Sequence, residues 1–85
     1  MSTRQAAGAT TADAEIGARI IEAIKDQKTD QRALSDSTGI AYATLRRSLA
    51  GGRSLTVREI ITISEALDIP AVTLLPGELT GRWAA

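Results

Sequence analysis

Asp30-Gln31-Arg32-Ala33-Leu34-Ser35-Asp36-Ser37-Thr38-Gly39-Ile40-Ala41-Tyr42-Ala43-Thr44-Leu45-Arg46-Arg47-Ser48-Leu49-Ala50-Gly51-Gly52 is the stretch whose reading decides the fold. Asp30 has the chemistry of an N-cap, since its carboxylate can accept from the free amides of a first helical turn and its charge suits the positive end of the helix dipole. Leu34 and Thr38 then share a face. Gly39 stands where that helix must stop and the chain must swing, at a left-handed position that costs glycine little. Ile40 follows as an apolar plug under the turn. From Tyr42 to Leu49 the helical period turns Thr44, Leu45, Ser48 and Leu49 inward and Tyr42, Ala43, Arg46 and Arg47 outward.

The flanks continue the helical pattern. A helix over about 12–25 carries Ile16, Ile20, Ala23 and Ile24 on one face, with Asp13 and Glu15 near its start and Lys25 and Lys28 near its end, as the dipole prefers. Beyond Gly51 and Gly52, Thr56-Val57-Arg58-Glu59 reads as a capping box. It opens a helix to about Leu67 whose buried stripe is expected to be Val57, Ile60, Ile61, Ile63, Ser64 and Leu67. Asp68-Ile69-Pro70 ends it, because proline disfavours helical geometry in the residue before it. A fifth short helix, Ala71 to Leu75, is expected to add Val72 and Leu75 to the core before Pro76 and Gly77 stop the chain. The expectation is an all-α fold of five helices, with an arm over 1–11, one domain over 12–75 and a tail over 76–85.

Composition narrows the chemistry. The 85 residues contain no cysteine and no histidine, and the only aromatic residues are one Trp and one Tyr. Disulfides, thiol chemistry, histidine catalysis and nearly every transition-metal site are thereby excluded, which is compatible with a reducing cytoplasm. No signal peptide is expected, because Asp13 and Glu15 precede any apolar segment, and the longest apolar run, Ile69 to Leu75, is too short to span a bilayer. Asp13, Glu15, Glu22 and Asp26 lie on the outward part of an amphipathic helix with nothing to raise a pKa, so no acid–base pair, enzymatic activity or cofactor is expected. The formal net charge is zero. Its distribution is uneven: Ala41 to Arg58 holds Arg46, Arg47, Arg53 and Arg58 and no acid, whereas Glu59 to Glu78 holds four acids and no base. Such a division would orient the molecule towards phosphates while leaving weak non-specific affinity.

Two arginines and a tyrosine on the exposed face of a short helix suit a DNA major groove. The small residue after Leu34, the Gly39-Ile40 pair, Leu45 five residues after Ile40 and the Gly51-Gly52 stop together resemble the helix-turn-helix of the Cro and lambda-repressor-like family, also called the XRE family. With the flanking helices the resemblance covers about Ile16 to Leu75. Three departures stand out. Ser35 replaces the usual Ala, Ala33 stands where a Glu often closes a capping box, and Ser48-Leu49 replaces a large aliphatic followed by a polar residue. The third implies a rotated or loosely packed end to the recognition helix.

The resemblance implies a lambda-repressor-like domain that binds double-stranded DNA sequence-specifically as a cytoplasmic transcriptional regulator without a cofactor. A homodimer on a palindromic operator follows from it, with half-sites about 34–36 Å apart. A repressor of the phage immunity or Cro-like kind is the expected class, and the Arg- and Ala-rich usage is similar to that of high-GC actinobacteria and their phages. Tyr42, Ala43, Arg46 and Arg47 are the base-reading candidates, Arg46 first, since an arginine can donate two parallel bonds to guanine. Gln31, Arg32, Thr44, Arg53 and Ser54 are the candidates for the DNA backbone. Arg4 could reach a minor groove. Leu75, Leu79 and Trp83 are the dimer candidates, because buried aromatics are enriched at interfaces. A rival reading is a protein-interaction module, an antitoxin or adaptor that keeps the helix-turn-helix as scaffold and binds a protein partner through the C-terminal tail.

Overall fold

In the computed structural model, residues 11–76 are described, and the expected local signals organise them. The chain forms α1 (Thr11–Asp26), α2 (Gln31–Thr38), α3 (Tyr42–Leu49) and α4 (Val57–Leu67), followed by a single 3-10 turn, Ala71–Leu74. No strand occurs among the described residues. No helix among them is long and apolar enough to cross a membrane. The arm with Arg4 and the tail positions Leu79 and Trp83 lie outside the described residues.

The ends of α2 and α4 each have a chemical cause. The Asp30 carboxylate accepts from the Ala33 amide at 2.8 Å, capping α2. Gly39 terminates it at φ 79°, with its amide on the Ser35 carbonyl. Thr56 and Glu59 form the reciprocal capping box at the head of α4: the Glu59 amide donates to Thr56 Oγ1 at 3.1 Å and the Thr56 amide to Glu59 Oε1 at 2.9 Å. α4 stops at Asp68, which is left-handed at φ 56°. The Gln27 side-chain amide donates to the Leu67 carbonyl, so the loop after α1 covers a carbonyl that the end of α4 leaves without a helical partner.

Among the described residues, eleven buried aliphatic side chains make the core: Ile16, Ile20, Ile24, Leu34, Leu45, Leu49, Ile60, Ile63, Leu67, Leu74 and Leu75. α1 packs on α3, and α2 packs on both α3 and α4. Gly17 is buried where α1 crosses the end of α3, and a Cβ there would collide with the Leu49 backbone carbonyl.

Three expectations need correction. The fifth helix is one 3-10 turn, because only five residues separate Pro70 from Pro76. With about three residues per turn, Ala71 and Leu74 share a side. Leu74 therefore enters the core, and Val72, expected inside, is 51% exposed. On α4 the buried arc is narrower than expected: Ile60, Ile63, Ser64 and Leu67 are inside, whereas Val57 is 71% and Ile61 44% exposed. Val57 sits in the first turn, at the edge of the core, and Ile61 stands about 100° round the helix from Ile60.

Candidate nucleic-acid interface

α2 presents its N-terminus beside the outer face of α3, and the turn between them is tied internally. Ser35 is buried, and its hydroxyl donates to the Ile40 carbonyl at 2.6 Å, bridging the turn. Thr38 Oγ1 donates to the Leu34 carbonyl at 2.8 Å and accepts from the Ile40 amide at 3.2 Å. The serine in place of alanine thus supplies a hydrogen bond across the turn. With the Thr38 bonds it ties the end of α2 to the residue that follows Gly39.

On α3 the inward set is as the period requires. Leu45, Ser48 and Leu49 are buried, and Thr44 is half-buried. Ala43, Arg46 and Arg47 are exposed, and with Ala50 they line an open depression of about 320 Å³. Arg46 also lines a second depression of about 470 Å³ with Asp30, Gln31, Arg32 and Tyr42. The Arg32 guanidinium lies over the Tyr42 ring, 4.2 Å from its centroid, and this stacking joins the first turn of α2 to the first turn of α3. Four of the candidates, Gln31, Arg32, Tyr42 and Arg46, therefore converge, with Ala43 and Arg47 on the adjoining turn. Neither Arg46 nor Arg47 has an ion-pair partner among the described residues.

Arg53 and Ser54 are placed differently. Arg53 meets the Glu59 carboxylate with two parallel bonds, Nη1 to Oε1 at 3.2 Å and Nη2 to Oε2 at 3.1 Å, and Nη1 also donates to Ser48 Oγ at 2.8 Å. Both partners of the ion pair are largely sheltered, at 30% and 21% side-chain exposure. The arginine thus staples the end of α3 to the start of α4. Ser48, which implied a loose helix end, is 1% exposed and serves as a buried acceptor. Burial pushes the Glu59 carboxyl upward, but hydrogen bonds from the Thr56 backbone and from Arg53, with the arginine's charge, outweigh it and hold the carboxyl below its ordinary value. The Ser54 hydroxyl donates to Asp13 Oδ2 at 2.7 Å, tying the same loop to α1. Leu75 is taken up by the chain's own core at 9% exposure.

Two supports of this arrangement are not legible in the sequence, the seat of Gly17 on Leu49 and the partner of Ser48. Gly17 in mid-helix was a signal, since an isolated glycine inside a helical pattern needs a packing reason. Ser48 at an inward position was another, because a buried hydroxyl needs a partner.

No family model matches the chain, and no curated protein does. Among solved structures, the restriction-modification controller protein C.AhdI from Aeromonas hydrophila is similar, with a TM-score of 0.70 and 22% sequence identity, covering 73% of this chain and 94% of that one. The chain shares the fold of that controller protein.

Proposed function

We propose that this chain is a sequence-specific double-stranded DNA-binding regulator, without catalysis or a cofactor, that acts as a homodimer on a two-fold symmetric operator. Its output is repression by occlusion of a promoter, in the manner of a phage immunity or Cro-like regulator in the bacterial cytoplasm. The observation that carries the reading is the outer face of α3. There two exposed arginines without ion-pair partners stand between small residues, Ala43 and Ala50, so the helix can enter a major groove without obstruction. Arg46 and Arg47 read base edges from it. Gln31 and Arg32, at the first turn of α2 beside Tyr42, meet the phosphate backbone at the groove's edge. The fold of a restriction-modification controller protein supports the same reading.

The test is selection of binding sites from a random duplex DNA library with the purified chain at near-physiological salt. A two-fold symmetric motif with half-sites about one helical turn apart is the expected result. A folded protein that enriches no sequence overturns the proposal.

A further inference from the structure

The outward side of α4 mixes exposed apolar side chains with one charge of each sign, and no other described element covers Val57 or Ile61 fully. While Ile60, Ile63, Ser64 and Leu67 face the core, Val57, Arg58, Ile61, Thr62, Glu65 and Ala66 line the other side at intervals of four. Val57 and Ile61 are 71% and 44% exposed. Arg58 stands near the start of this stripe and Glu65 seven residues later, about two turns on. Neither has an ion-pair partner among the described residues.

A stripe with a cation at one end, a carboxylate at the other and Val57, Ile61 and Ala66 along it is complementary to its own reverse. Two copies of α4 laid antiparallel about a two-fold axis beside Ile61 and Thr62 bring each Arg58 opposite Glu65 of the partner subunit. The same register sets each Val57 against Ala66 of the partner subunit and closes the two Ile61 side chains over the axis. A nucleic acid would be repelled by Glu65, and a strongly charged protein would leave one of the two charges unmatched.

We infer that this face of α4 is where two copies of the chain associate. The inference deepens the proposed function by naming the dimer surface, which lies on α4 rather than at Leu75. An eleven-residue helix is about 16 Å long. The contact is therefore small, below roughly 1,200 Å² in total, and the dimer dissociates in the micromolar range.

Sedimentation equilibrium of the full chain without DNA, from about 1 to 200 µM, tests it. The expected wild-type result is a reversible monomer–dimer equilibrium. Ile61→Asp, at a position already half open to solvent, keeps the helical circular dichroism and raises the dissociation constant about 100-fold, roughly tenfold for each copy at the axis. Arg58→Glu and Glu65→Arg each weaken the dimer about tenfold, because each places like charges opposite one another. Mixing these two single variants restores association, since one then carries two carboxylates and the other two guanidinium groups. A wild type that is monomeric throughout, a dimer indifferent to Ile61→Asp, or single variants that do not rescue one another overturns the inference. As no DNA is present, those results leave the reading of DNA to the library selection, and a failed selection leaves the dimer measurement standing.

Discussion

The two faces of α3 are built on opposite terms. Its inner face is fastened: Leu45 and Leu49 are in the core, Gly17 presses its backbone on the Leu49 carbonyl, and Ser48 accepts from Arg53. Its outer face carries two arginines with no ion-pair partner among the described residues, and the Arg32–Tyr42 stacking is the ring contact beside it. Arginine itself therefore has two fates within seven residues. Arg53 spends its planar fork on a carboxylate and a hydroxyl of its own chain, whereas Arg46 keeps its fork available. The lesson is that a run of arginines in sequence does not define a binding surface until the acids that fold back on it are known. Among Arg46, Arg47, Arg53 and Arg58, the structure removes Arg53 from the freely available set.

The largest blow to the inner face is Gly17→Ala. A methyl there meets backbone, which cannot rotate away, so the cost falls at the upper part of the roughly 1–3 kcal/mol typical of overpacking. Helix propensity returns up to about 1 kcal/mol. A net loss near 2 kcal/mol lowers the melting temperature by about 8–16 °C in a domain of this size. Thermal unfolding followed by circular dichroism measures it. An unchanged or raised melting temperature would mean that α1 is free to slide off the end of α3, and the inner face would lose its standing as the rigid one.

Arg53→Ala is next. It strips two hydrogen bonds from a sheltered carboxylate and one from a buried serine, and with the ion pair still about a quarter open to solvent the expected loss is about 1 kcal/mol, or 4–8 °C. Glu59 makes this loss depend on pH. Its carboxyl is held below the ordinary value in the folded chain, so its contribution is complete above the ordinary carboxylate pKa of the unfolded chain and disappears as the pH falls through the lower folded value. Melting curves of wild type and Arg53→Ala should lie apart at pH 7 and converge as the pH drops below about 4. Parallel curves across that range would show that the pair with Glu59 is not what Arg53 contributes.

These two residues also mark where sequence reading stops. The N-cap at Asp30, the left-handed Gly39 and the Thr56–Glu59 box are legible because each is settled by partners within four residues. The outward set on α3 is legible for a similar reason, since one helix period fixes it. Gly17 and Arg53 answer to chain that is far away or around a loop: the first to Leu49 on another helix, the second to Ser48 and Glu59 on either side of a turn. Ser48 read as an irregularity only because its donor was unknown. Val57, Ile61 and Val72 belong to the core by helical period alone, yet stand exposed, for the opposite reason. A helical period says which side chains share a face, but the arc that receives a neighbour depends on how many elements surround the helix, and the 3-10 turn between two prolines leaves α4 less covered than a fifth full helix would.

The smallest effect on stability, and the one that sharpens the comparison most, belongs to Arg46→Ala. The side chain is exposed and makes no hydrogen bond or ion pair found among the described residues, so its removal should move the stability by no more than about 0.5 kcal/mol. On the proposed reading its effect appears only with DNA: preference at one base position per half-site relaxes by about 1–3 kcal/mol while the melting temperature stays put. Arg53→Ala compared at equal folded fraction should do the reverse, lowering the melting temperature and leaving the base preference unaltered. Binding-site selection with both variants beside wild type measures the difference in one experiment. If Arg53→Ala changes the selected motif and Arg46→Ala does not, the staple is also the reader, and the division between a fastened inner face and an open outer face fails at the point where it was drawn.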